Sequence, residues 1–174
     1  TPPAAYRTPD GASFAEKPEH MTHLRGNVLV PKTHPRIAFR GGIDTLEAEL
    51  LLCAQAADGP LRQTLCAMLD FVRSLIRADV LDEPVQAVRF LGLDDDGLRE
   101  HSHHPEREEG QPHFLPAPDD PPILLRLNRL RTVVRQTELL ACHAFSRPDG
   151  TLARPDLVKA LNRLSSLCWI LMIR

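Results

Sequence analysis

The stretch RTVVRQTELL, residues 131–140, carries two cations and an anion at a spacing with chemical meaning. Arg131, Arg135 and Glu138 stand at i, i+4 and i+7, which on an α-helix puts all three on one stripe. Leu127, Leu130, Val133, Val134, Leu139 and Leu140 surround them. Such a stripe either forms a structural ion-pair network with a neighbouring helix or meets a charged ligand. Asp44 and Glu47 are the candidate structural partners. Either way the charges need partners, because breaking a buried ion pair costs about 3–5 kcal/mol. A second polar pair, Asn162 and Arg163, is set inside ALNRLSSLCWIL. An amide offers a donor and an acceptor that can read a hydroxyl or a base edge, although the pattern equally fits a satisfied core amide. Lys32 and Arg36 flank the start of an apolar helical pattern and add two more cations.

Two groups of potential metal ligands carry less. His101, His103, His104 and His113 cluster in HSHHPEREEGQPHF, but no spacing there fixes three ligands in one geometry, so they read as loop histidines. Cys53, Cys66, Cys142 and Cys168 lie apart within helical patterns without a CxxC spacing, and read as reduced, buried thiols.

The elements that must position these residues are helical. HPRIAFRGGIDTLEAELLLCAQAADG places Pro35 in a first turn, runs apolar at Ile37, Leu46, Leu50 and Leu51, and stops at Gly59-Pro60. A second helix starts on Pro60 and stops before Pro84. Cap-type acids at Asp94–Asp96 open a short amphipathic turn, and residues 104–120 form a polar, proline-rich loop. Helical periodicity resumes from Pro121 to about Ser146, and a last helix follows with Pro155 in its first turn. The polar arc of the 121–146 helix is narrow, which predicts that its charged stripe is covered. Strand alternation is hard to find anywhere. The expectation is an all-α bundle of four or five helices over residues 21–174, preceded by a flexible or extended arm at residues 1–20 that is rich in Pro, Ala and charge.

A chain of 174 residues with 43% hydrophobic content fills one core and predicts one domain. A net charge of -2 gives no basic field to recruit nucleic acid or an anionic membrane. The longest apolar run, LCWILMI, is far short of the roughly 20 residues of a membrane span, and no signal-like segment opens the sequence. A cytoplasmic location is expected. Thr1 in place of methionine is consistent with a trimmed or processed chain.

VPKTHPRIAFRGGIDTLEAELLL, RTVVRQTE and ALNRLSS resemble, in order and at appropriate separations, three blocks of the ATP:corrinoid adenosyltransferases of the trimeric five-helix-bundle superfamily. THLRGNVLVPKTHPRI, IRADVLDEP and ARPDLVKALNRLSS resemble its ethanolamine-utilisation branch, and the likeness covers roughly residues 20–174. The resemblance implies an up-and-down five-helix bundle, assembled as a homotrimer with ATP at subunit boundaries. It implies transfer of the 5′-deoxyadenosyl group of ATP to Co(I) of a corrinoid such as cobalamin, with Mg²⁺, forming adenosylcobalamin and releasing polyphosphate. An electron donor that reduces Co(II) to Co(I), and an adenosylcobalamin-dependent enzyme receiving the product, follow as partners. Association with a bacterial metabolic compartment is a further implication. The absence of a catalytic triad, paired carboxylates or a P-loop then has a reason: Co(I) is itself the nucleophile. The protein need only align two reactants and stabilise the leaving polyphosphate.

Carried over by position, Lys32 and Arg135 match residues that meet ATP phosphates. Glu138 matches a glutamate near the nucleotide or its Mg²⁺. Asn162, with Arg163 beside it, matches an ATP contact, and Arg36 joins Lys32 on the nucleotide side. Arg135 and Glu138 are thereby the residues expected to act on the reaction. Asp44 and Arg131 match a pair that joins subunits, and Phe114, just before Leu115-Pro116, matches the bulky residue that displaces the corrinoid's lower axial ligand. Three departures stand out. The glycine-rich T-x-x-G-D-x-G phosphate loop is missing, with only THL at Thr22 where it would begin. Gln136 replaces the second arginine of an RR-x-E element. YRTPD, Tyr6 to Asp10, stands in place of a Cys-Cys-x-x-Cys cluster, so no metal site from protein cysteines is expected. The missing loop and Gln136 sustain a rival reading, a non-catalytic nucleotide- or corrinoid-binding sensor or carrier module.

Overall fold

Pro35, Pro60, Pro122 and Pro155 each stand in the first turn of a long helix, where the missing N–H costs no hydrogen bond and the fixed φ favours helix. In a computed structural model that describes residues 4–174, the helices in chain order are α1 (Pro35–Ala56), α2 (Gly59–Leu81), α3 (Asp95–His103), α4 (Pro105–Glu108), α5 (Pro122–Phe145) and α6 (Pro155–Ile173). The four long helices agree with the sequence reading. The proline-rich stretch after position 104, read as loop, opens with the single turn of α4.

The all-α expectation needs correction. Four short strands precede α1: β1 (Tyr6–Arg7), β2 (Ser13–Phe14), β3 (Met21–Arg25) and β4 (Val28–Pro31), in sheet order β2-β1-β4-β3. β3 and β4 form a hairpin about the two-residue turn Gly26-Asn27, with Gly26 at φ +52°, a left-handed conformation that glycine adopts without steric cost. β1 runs parallel to β4 and antiparallel to β2, so strands lie within the segment read as an arm. The sheet buries Met21, Leu29 and Val30.

The bundle core runs through α1, α2, α5 and α6, with Phe39, Ile43, Leu46, Leu50, Met68, Leu130, Val134, Leu161 and Leu164 among its buried members. Phe39 meets Phe145 edge to face at 5.5 Å between centroids, joining α1 to the end of α5. Where Gly42 of α1 faces Thr137 and Leu140 of α5, it has no side chain to obstruct the packing. A Cβ there would lie 2.8 Å from Leu140 Cδ1, and Thr137 Oγ1 donates to the Gly42 carbonyl at 3.3 Å.

Asp79 of α2 is fully buried and binds two arginines of α1. Arg36 Nη2 reaches Oδ1 and Arg40 Nε reaches Oδ2, each at 2.7 Å. Arg40 Nη1 also donates to the His23 carbonyl of β3 at 3.3 Å, so one buried carboxylate ties two helices and the sheet together.

Candidate functional site

The charged stripe lies on an open face of α5. Arg135 is exposed, and Arg131 and Glu138 are half-buried, so the cover inferred from a narrow polar arc is absent among the described residues. Arg126, Arg129, Thr132 and Gln136 complete a wider polar arc than the stripe alone suggests. Neither proposed helix-one partner reaches the stripe. Glu47 pairs with Arg73 of α2 at 3.1 Å, and Asp44 is exposed and makes no ion pair among the described residues. Arg131 instead donates from Nε and Nη2 to Asn128 Oδ1, at 3.1 and 2.9 Å.

The stripe meets α6 through Asn162. Asn162 Nδ2 donates to Glu138 Oε1 at 3.1 Å, so the amide is an exposed link between helices rather than a core group. Arg163 beside it is buried, donating from Nη1 to Asn162 Oδ1 at 2.6 Å and from Nε to the Asp95 carbonyl at 2.8 Å. α3 is thereby part of the support. Asp94 Oδ1 accepts from the Gly97 N–H at 2.8 Å to cap it, and Lys159 reaches Asp95 at 2.5 Å. The Lys159 bond holds the half-buried Asp95 carboxyl below its ordinary range.

A cleft of about 480 Å³ opens between α3, α5, α6 and the loop ahead of α5. Its wall includes Arg131, Arg135, Asn162, Phe114, His113, Ser165, Ser166 and Trp169. Arg135 also borders a second groove with Gln136, Glu138 and Cys142, so it stands between two recesses. Phe114 stacks on Trp169 at 5.2 Å, and His113 stacks on the same indole at 5.5 Å. His113 Nε2 lies 3.1 Å from the Ser102 carbonyl; a carbonyl only accepts, so this ring nitrogen carries the hydrogen. Chemically, the cleft joins a cationic and amide-bearing side to an aromatic side.

Other sequence-derived candidates lie elsewhere. Lys32 is exposed after β4, 3.6 Å from Glu19, and Arg36 is engaged by Asp79 with its guanidinium 5.6 Å from the Phe145 ring centroid. Neither lines the cleft. Among the histidines, His103 and His113 line it, whereas His101 Nδ1 is 2.7 Å from Glu109 Oε1. No group of three His, Cys, Asp or Glu side chains among the described residues is arranged to hold a metal. All four cysteines are free: Cys53 and Cys168 are buried, Cys66 is exposed and Cys142 half-buried, so burial of the whole set does not hold. Burial pushes the Cys53 thiol up to about 11, which keeps it protonated at neutral pH. Sequence reasoning missed Trp169, Ser165 and Ser166 as cleft residues. Trp169 stands seven positions after Asn162, a same-face spacing that was available as a signal.

Fold and cleft together describe a mostly helical protein with a charged recess along its side. The chain belongs to the cobalamin adenosyltransferase family, whose model matches residues 13–174. It is 35% identical over 158 residues to the corrinoid adenosyltransferase EutT of Salmonella typhimurium, covering 91% of this chain and 59% of that protein. It is 36% identical over 160 residues to EutT of Escherichia coli strain K12, covering 91% of this chain and 60% of the relative. The chain therefore spans less than two thirds of the length of these curated relatives. In fold it is similar to a variant PduO-type ATP:corrinoid adenosyltransferase from Lactobacillus reuteri, solved in complex with cobalamin and ATP. That likeness has a TM-score of 0.66 at 17% identity, over 88% of this chain and 87% of the other.

Proposed function

We propose that this chain transfers the 5′-deoxyadenosyl group of ATP to the Co(I) of cobalamin or a related corrinoid. The cobalt electron pair forms the Co–C5′ bond, the C5′–O bond breaks, and its electrons leave on the polyphosphate. The observation that carries this reading is the convergence of Arg135, Asn162 and Phe114 on one cleft. Arg135 stabilises negative charge on the leaving polyphosphate, and Asn162, held by Glu138 and Arg163, reads the nucleotide. Phe114 supplies the apolar surface that displaces the lower axial ligand, easing reduction of Co(II) by an external electron donor.

Mg²⁺ fits this arrangement as an ion carried chiefly on the phosphates. Glu138 is the single carboxylate on the stripe, and Mg²⁺ commonly takes one or two protein carboxylates while keeping phosphate and water ligands. The homotrimer belongs to the same proposal. Arg131 and exposed Asp44, unpaired with each other inside one chain, pair across a subunit boundary, which brings a neighbour's surface to the open stripe. Exposed Lys32 reaches the phosphates across that boundary. Arg36 acts on the nucleotide side through its field, since Arg36 and Arg40 share one carboxylate and leave a surplus positive charge. Ethanolamine metabolism, a bacterial compartment and a downstream adenosylcobalamin-dependent enzyme are the proposed setting, supported by the likeness to the EutT proteins.

The test supplies ATP, Mg²⁺ and chemically reduced cobalamin to the purified protein and follows the absorbance of adenosylcobalamin. Gln136, which removes a cation beside Arg135, favours the rival reading of a binding module. ATP binding measured apart from turnover separates the two: a module binds ATP or corrinoid without forming product.

A further inference from the structure

We infer that Trp169 is a positioning residue, which fixes Phe114 at the cleft wall and sets its distance from the nucleotide side. This rests on the adenosyl-transfer reading, in which Phe114 displaces the lower axial ligand of the corrinoid. Residues 111–117, which carry Phe114, form neither helix nor strand. Leu115 immediately after it is 91% exposed, so its side chain faces solvent and gives Phe114 no cover. What holds Phe114 is therefore side-chain packing. Its ring stacks on Trp169 at 5.2 Å with 26° between planes; His113 stacks on the same indole and is fastened to α3 by its bond to the Ser102 carbonyl.

Trp169 can act as a reference because of where it stands on α6. Asn162 and Trp169 are seven residues apart, on one face and about 10.5 Å apart along the axis at 1.5 Å per residue. Both line the cleft. One rigid helix therefore carries the nucleotide contact and the platform for the displacing ring, so the separation between the two reactants is built into its rise. Trp169 Nε1 is buried and has no hydrogen-bond partner among the described residues, so the indole serves as a flat apolar surface rather than as a donor. Another flat ring should serve in its place, and a branched aliphatic side chain should not.

The experiment binds cob(II)alamin and ATP to the wild type, Trp169→Phe and Trp169→Leu. Electron paramagnetic resonance reads the fraction of cobalt without an axial ligand, and steady-state kinetics reads kcat and the KM for ATP. Trp169→Leu is expected to lose most of the ligand-free species and at least tenfold in kcat, with the KM for ATP within twofold of wild type. Trp169→Phe should recover at least half of both. A wild-type fraction in Trp169→Leu, an equal loss in Trp169→Phe, or a parallel rise in the KM for ATP overturns the assignment. Should Trp169→Leu fail to fold, His113→Ala removes an exposed ring from the same platform; an unchanged ligand-free fraction there overturns it too. A wild type that binds both ligands yet forms neither the species nor product overturns the adenosyl-transfer reading itself, whereas a wild type that forms both, matched by Trp169→Leu, overturns the role of Trp169 alone.

Discussion

Arg131 and Arg135 are one helical turn apart on α5 and are expected to fail differently when removed. Arg135→Ala should lower kcat/KM for ATP about ten- to a hundredfold, the worth of a charge-assisted bond of about 1.5–3 kcal/mol, while the oligomer persists in light scattering. Arg131→Ala should instead shift the oligomer toward smaller species; equal loss of assembly in both contradicts the division. Asp79→Ala should destabilise the fold by about 3–5 kcal/mol in denaturant unfolding, because it leaves Arg36 and Arg40 partly buried without their counter-charge. Glu109 gives a pH test. Hydrogen bonds from Arg174 hold its carboxyl below the ordinary glutamate value, burial opposes this, and His101 adds to it. A lowered folded-state value means stability present above the ordinary glutamate range and lost as pH falls through the lowered one. Arg174→Ala should therefore lower Tm at pH 7 and have little effect in strong acid; a pH-independent difference contradicts the linkage. At this scale the stripe itself was legible, because i, i+4, i+7 spacing is a property of the helix. Its openness was not, since whether a neighbour covers a helix face depends on tertiary placement that periodicity does not encode.

The long helices were legible because each combines a proline in its first turn with an apolar period sustained over five or more turns. The sheet was not, because β1 and β2 have two residues each, too few to alternate visibly, and derive their order from pairing with β4. The Gly26-Asn27 turn between MTHLR and VLVP was the usable hairpin signal. α3 is the element on which the cleft's support depends, through its carbonyls at Asp95 and Ser102. Asp94→Ala removes its cap and should cost about 1 kcal/mol in unfolding free energy, with faster amide exchange confined to α3 and the His113 loop. Unchanged exchange there would show that the cap does not hold the cleft wall.

For the molecule as a whole, the proposed assembly sets one subunit boundary over the open stripe on α5 and over Asp44, which makes no ion pair among the described residues. Asp44→Arg and Arg131→Asp should each weaken the oligomer, and the two together should restore it, because the charges are exchanged rather than removed. An additive loss in the double variant would place the boundary elsewhere. The lengths and order of the helices bounded this architecture from the sequence, but the pairing of one copy with another leaves only faint marks in a single chain. The central claim, that the cleft formed by Arg135, Asn162 and Phe114 performs adenosyl transfer, is tested most directly by single-turnover spectroscopy with ATP, Mg²⁺ and cob(I)alamin. The wild type should give adenosylcobalamin and release polyphosphate in equal amount, and Arg135→Ala should do so at least tenfold more slowly. No adenosylcobalamin from folded wild-type protein that binds both substrates would contradict it.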